Sequence, residues 1–316
     1  MPAPHTHYFE VEMQIDDLSD AYVDLKMAVW TPGSYLVREY ARHVEGFRAV
    51  DANNQPVSAN KINKNTWRVQ TNGAKKVVVK YSVYAFELTV RTSFLNAAHG
   101  YVNPASVFMF VDKQTNTPAE LVIQPFGDWD RVSTGLPAVP GKPFTYNIPN
   151  LDIFIDSPIE IGKHKEFSFD AAGVKHRVAI FGVDDFDQAK IEREFKAVIE
   201  ASTAIFGENP CANYLDKDYT FIVHLTASGG GGLEHLNSTS LQYSRNLYQV
   251  GTDFLGLVAH EYFHLWNVKR LRPAPLGPFD YENENYTPLL WQAEGFTVYY
   301  EDVILLRAGF ISPTEF

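Results

Sequence analysis

Over its first 167 residues the chain alternates apolar and polar positions in short runs. In "HYFEVEMQI", "AYVDLKMAVW", "TWRVQ", "KVVVKYSVYAFEL", "SVFMFV", "AELVIQ" and "FTYNI" side chains switch face at nearly every step, the period of a half-buried strand. Between these runs, "TPGS", "DANNQP", "TNG" and "PGKP" supply the glycine, proline and asparagine that turns need. Strands joined by short turns pair antiparallel, so the pattern predicts an N-terminal antiparallel β domain over residues 1–167.

From residue 168 the period changes. "KHRVAIFGV" and "DYTFIVHLTA" have strand composition. Between them, "DDFDQAKIEREFKAVIEASTAIFGE" carries helical spacing, acidic residues in its first turn and Gly207 near its end. A glycine run then leads into an extended segment, and two helices follow. "GTDFLGLVAHEYFHLWNVKRLRP" repeats Leu255, Val258, Ala259, Tyr262, Phe263 and Trp266 at three- and four-residue spacing, which predicts one helix continuing until Pro273 forbids it. "TPLLWQAEGFTVYYEDVILLRAGF" is the second helix, with Thr287 suited to its N-cap and Pro288 to its first turn. Residues 168–316 therefore form a second domain that mixes sheet with helices, and the fold class is α+β.

Composition bounds the function. At 316 residues, 45% apolar and 14% aromatic, the chain is long enough for two folded domains with real cores. A net charge of −11 and the lack of any long basic run speak against nucleic acid as a partner. "VKRLRP", the densest basic cluster, reads as a helix end that welcomes positive charge. No apolar stretch approaches the 18 residues of a membrane helix, so no membrane partner is expected. The single cysteine, Cys211, permits no internal disulfide, and the N-terminus has no basic stretch followed by an apolar core. These features fit a cytoplasmic location, although a leader already removed would leave no trace.

The chemistry concentrates in the second domain. His260 and His264 are four apart on one helix face, so two imidazoles can meet one metal ion, while Glu261 leans toward where a bound water would lie. A hydrolytic zinc site takes three protein ligands and keeps one position open. Glu294, a lone carboxylate among apolar neighbours on the second helix, supplies the third. Glu261 is then the general base. Glu301 or Asp302 could orient a histidine from the same helix as Glu294. His224, on an apolar strand, reads as a satisfied core residue.

"SGGGGLEHLNST" allows two readings. The glycines can be a plain turn, and no phosphate-loop sequel follows them. Alternatively, main chain without Cβ atoms at Gly231 and Gly232 lets a peptide approach closely, and Glu234 projects a carboxylate that could hold its α-ammonium.

Taken together, "HEYFHLWNVKRLRP", "WQAEGFTVYY", "GGGGLEHLNST" and "VWTPGSYLVREYARHV" resemble the glycyl aminopeptidase family of metallopeptidases, gluzincins distantly related to aminopeptidase N. The resemblance covers nearly the whole chain. It implies an N-terminal β domain, a thermolysin-like zinc peptidase domain, zinc on His260, His264 and Glu294, Glu261 as base, and Glu234 as the holder of the substrate's amino terminus. It also implies a further helical part and a PDZ domain. The chain ends in "GFISPTEF", twenty-two residues past Glu294, so the expectation is a chain truncated before those parts, with an incomplete peptidase domain. Tyr281 and Tyr286 are substitutes by position for an oxyanion donor from the missing wall.

The expected activity is a zinc aminopeptidase that releases small N-terminal residues, glycine or alanine, from peptides with a free N-terminus. A thermolysin-type endopeptidase and a non-catalytic binding scaffold with a vestigial metal site are the alternatives.

Overall fold

In the computed structural model, which describes residues 1–316, the strand Val77–Tyr84 buries Val77, Val79, Tyr81 and Val83 and turns the residues between them to the other face. It pairs antiparallel with Tyr8–Ile15 on one side and Val44–Asp51 on the other, and Pro56–Val57 completes the sheet. A second four-stranded antiparallel sheet runs Met109–Val111, Tyr22–Met27, Thr66–Gln70, Ala59–Asn63, and buries Leu25, Met27, Trp67 and Val69. The Phe47 ring stacks against Trp67 at 5.5 Å and Tyr81 at 6.2 Å, so one side chain of the first sheet joins residues of both. These strands belong to one compact unit, Met1–Asp130 with Ala138–Asp156 and Asp280–Glu284.

The other unit comprises Arg131–Pro137, Ser157–Phe279 and Asn285–Phe316. Its main sheet has five strands: β1 (Lys165–Ala171), β2 (Val174–Phe181), β3 (Asp218–Thr226), β4 (Gly231–Glu234) and β5 (Ser238–Ser244), in the order β1-β2-β3-β5-β4. The inner strands β2, β3 and β5 are parallel, and β1 and β4 join antiparallel at the ends. Parallel neighbours need a crossover, and helix α1 (Gln188–Phe206) provides it between β2 and β3. Seven consecutive residues of β3 are buried, the signature of a strand covered on both faces.

Helix ends differ from the sequence pattern for identifiable reasons. α1 begins at Gln188, after Asp184 and Asp185, because the Asp187 carboxylate accepts the Lys190 N–H at 2.9 Å and caps it there. Gly207 closes it at φ 83°. Helix α2 (Asp253–Phe263) stops at His264, well before Pro273. Leu265 and Trp266 tighten to i−3 hydrogen bonds, and Val268 takes φ 94°, which no α-helix accommodates. Arg270 then donates to the Leu265 carbonyl at 2.8 Å. The apolar spacing at Leu265 and Trp266 thus records burial in a turn. Helix α3 (Leu290–Arg307) starts later than its N-cap candidate, because the Thr287 hydroxyl accepts the Leu289 N–H at 3.1 Å in a turn ahead of it.

Phe195, Val198 and Ile199 of α1 and Phe254, Val258 and Tyr262 of α2 close the core over β2 and β3. Each such side chain contributes on the order of 1.5–3 kcal/mol by leaving water. A polar chain fixes the rotation of α2 on this surface. His176 donates from Nδ1 to the Val174 carbonyl at 3.0 Å, its Nε2 accepts the Tyr262 hydroxyl at 2.9 Å, and that oxygen accepts from Asn209 at 2.7 Å. No helix of the chain is long and apolar enough to cross a membrane.

Burial lowers the His176 pKa from 6.5 to about 4. Between these values the unfolded chain binds a proton that the fold refuses, so stability rises with pH across that window, is fully present above it, and is lost as pH falls toward 4. The full effect is roughly 3 kcal/mol. Urea unfolding at pH 7 and pH 4.5 should show a smaller acid loss for His176→Gln than for the wild type; equal losses would remove His176 from the account.

Candidate active site

The two histidines keep their relation through helix periodicity alone. One turn apart on α2, their ring centroids are 4.8 Å from each other. Glu294 on α3 brings Oε2 to 3.4 Å from His260 Nε2 and 3.6 Å from His264 Nε2. Metal bonds of about 2.0–2.1 Å in a tetrahedron set neighbouring ligand atoms roughly 3.4 Å apart, so these three groups have the separation that one small cation needs.

The far nitrogens are spoken for. His264 Nδ1 faces the Asn267 carbonyl at 3.0 Å and His260 Nδ1 faces Glu301 Oε2 at 3.1 Å. Both partners accept, so each Nδ1 carries a proton and each Nε2 is the nitrogen that faces Glu294. Of the two second-helix carboxylates considered from sequence, Glu301 is the one at the histidine, while Asp302 is exposed. Glu301 has room because residue 256, one turn before His260, is glycine: a Cβ there would lie 2.5 Å from Glu301 Oε1.

Glu261 is 5% exposed and packs its carboxyl against the Cα of Gly232 on β4, where a Cβ would lie 2.2 Å from Glu261 Cδ. Gly231 needs glycine for a different reason, its φ of 124°. At the end of β4, Glu234 is 4% exposed, and Glu234, Glu261 and His264 have ligand atoms within 4.8 Å of one another. Glu234 Oε1 and Glu261 Oε2 are buried and make no hydrogen bond within the protein. Two buried carboxylate oxygens without a partner in the chain, set beside a histidine, can accept from a donor outside it.

The electrostatics follow from this crowding. Burial opposes charge on His260, but Glu294 and Glu301 outweigh it and raise its pKa to about 10. His264 is raised as well: burial opposes this, and Glu234 and Glu294 prevail. Against its own burial, Glu294 is held well below the carboxylate range by the two histidines. Burial pushes Glu261 up to about 7, with His264 opposing and Glu234 reinforcing the rise.

Tyr281 is buried and its hydroxyl donates to Asp152 at 2.7 Å within the first unit. Tyr286 is 77% exposed. His224 is fully buried and pairs with Glu160 at 2.8 Å, as befits a core histidine. Sequence reasoning passed over Gly256 and Asn267. A glycine inside a helix costs about 1 kcal/mol against alanine, and that was the available signal for a close approach. Asn267, following a helix end, carried none.

Two family profiles match the chain, the Peptidase M61 N-terminal domain over residues 1–163 and the M61 glycyl aminopeptidase over residues 253–316. Among solved structures, an aminopeptidase N family protein from Idiomarina loihiensis superposes with a TM-score of 0.91 at 34% identity, covering 99% of this chain and 55% of that one. The chain thus spans little more than half the length of that relative. A two-domain M1 zinc metallopeptidase, solved as a mutant bound to L-arginine, shares the fold at a TM-score of 0.51 and 13% identity, over 99% of this chain and 69% of that one. No curated protein matches. With the N-terminal profile alone covering over half of its residues and the second falling on the helices that bear His260, His264 and Glu294, the chain belongs to the peptidase M61 family.

Proposed function

We propose that this peptidase is a zinc-dependent aminopeptidase that removes small N-terminal residues, glycine and alanine, from peptides. The observation that carries the exopeptidase reading is Glu234, a buried carboxylate with an open oxygen beside Glu261 and His264. A free α-ammonium entering such a site loses hydration and needs an opposing charge, and a charge-assisted hydrogen bond to carboxylate is the strongest available. A thermolysin-type endopeptidase has no use for a buried carboxylate there.

His260, His264 and Glu294 would hold the zinc, which supplies Lewis acidity toward water and the scissile carbonyl. Glu261 takes a proton from the attacking water and returns it to the leaving amine. Its open Oε2 is the atom for this task, and Gly232 leaves it space. Gly231 and Gly232 line the approach to Glu234 with main chain in place of side chains. Glu301 and the Asn267 carbonyl keep both imidazoles turned with Nε2 inward.

Elemental analysis should find one zinc per chain in the full-length protein and a marked loss in His264→Ala; equal contents would end the ligand assignment. Gly232→Ala leaves the ligands alone but displaces Glu261, so zinc should stay while kcat falls by about 10²- to 10⁴-fold, the usual loss for a general base. Gly230→Ala, whose Cβ would meet only the Gln242 carbonyl at 3.8 Å, is the control. Similar turnover in the two variants would detach Gly232 from the base.

Glu234→Ala should lower kcat/KM on glycyl amides by the equivalent of roughly 2–5 kcal/mol, as for one partner of a buried charge pair, and leave the already poor cleavage of acetyl-glycyl amides unchanged. The same loss on both substrates would show that Glu234 supports the fold and does not read the amino terminus.

A further inference from the structure

The candidate ligands come from two helices, and this raises a question of alignment. His260 and His264 share α2 and keep their spacing by its periodicity. Glu294 sits on α3 with a side chain 45% exposed, so packing around that side chain does not fix it. Something must set the position of α3 beside the histidines.

We infer that Asn267 is a positioning residue that holds Glu294 against His260 and His264 by clamping the backbone of the glutamate's own helix. Its side-chain amide donates to the Ala293 carbonyl at 2.9 Å and to the Thr297 hydroxyl at 3.0 Å. Ala293 is the residue immediately before Glu294. The Thr297 hydroxyl in turn donates to the same Ala293 carbonyl at 2.7 Å, closing a small ring of hydrogen bonds on the first turns of α3. Asn267 and Thr297 are both buried, so these bonds have no competing water.

The same residue reaches the other ligand through its main chain, because its carbonyl accepts from His264 Nδ1. One side of Asn267 thus orients a histidine while the other fixes the segment that carries the carboxylate. The next residue explains how both are possible. Val268, a branched residue, takes φ 94°, a backbone conformation such side chains avoid, and its N–H is held by the Leu271 carbonyl at 2.9 Å. A relaxed turn would point the Asn267 carbonyl and amide elsewhere. Further along the two helices, Phe263 and Tyr300 stack at 4.7 Å. That apolar contact and the His260–Glu301 hydrogen bond bring α2 and α3 together, and the directional hydrogen bonds at Ala293 fix the turn that bears Glu294.

The inference rests on the ligand reading above, and the test separates the two. Zinc dissociation constants of the full-length protein are measured by competition with a chromophoric chelator for the wild type, Asn267→Ala, Glu294→Ala and the double variant. Glu294→Ala should bind zinc more weakly than wild type, and Asn267→Ala should weaken binding by about 10- to 100-fold, as loss of a partner outside the ligands does. In the double variant, losing the amide should add little to the loss from Glu294→Ala, because there is no carboxylate left to place. Losses that multiply would mean that Asn267 acts on the fold at large, and would overturn its positioning role while leaving the ligand set intact. Equal zinc binding by wild type and Glu294→Ala would overturn the ligand reading and this inference together. If Asn267→Ala does not fold, Thr297→Val, which removes one corner of the hydrogen-bond ring at nearly constant shape, passes through the same cycle with the same criteria.

Discussion

Four carboxylates share two imidazoles in the second unit. Glu234, Glu261, Glu294 and Glu301 surround His260 and His264, and Glu294 and His260 shift in opposite directions because each favours charge on the other. Such a group of charges does not assemble by its own attraction, since burial penalises every member. It persists because the surrounding core over-determines where each side chain starts: α2 is pinned by Val258, Tyr262 and their neighbours on the sheet, and Glu234 comes from the end of a strand registered residue by residue on β5. The proposed divalent cation would offset the surplus of carboxylates over imidazoles.

The first unit shows what alternation reveals and what it conceals. A period of two in "KVVVKYSVYAFEL" is enough to assign a strand and its buried face, because the pleat permits one solution. Neighbours are another matter. Val77–Tyr84 lies between the strand Tyr8–Ile15, far back in the chain, and Val44–Asp51, and no local pattern encodes that order.

At the candidate site, His260, His264 and Glu294 as proposed ligands and Glu261 as proposed base stood out in the sequence because such a set needs particular residue types at particular helical intervals. The structure brings these four together, with Glu234 beside them. The end of α2 was not legible: Leu265 and Trp266 continue the apolar spacing, and periodicity reports burial whether a helix or a turn delivers it. Neither was the part played by Asn267, whose contacts run to residues 293 and 297, or the burial of Glu234, since a glutamate following a glycine run looks like any surface residue. Gly256 left a faint mark as a glycine within a helix.

That glycine bears on any attempt to make the protein more heat-resistant. Replacing a mid-helix glycine by alanine is among the safest ways to raise a melting temperature, with a return of about 1 kcal/mol from backbone entropy. Here the added methyl would crowd Glu301 Oε1, so the carboxylate whose other oxygen meets His260 Nδ1 would have to shift. Helix propensity and site geometry make opposite demands on residue 256, so the α2 helix is held below its attainable stability by a side chain from its neighbour.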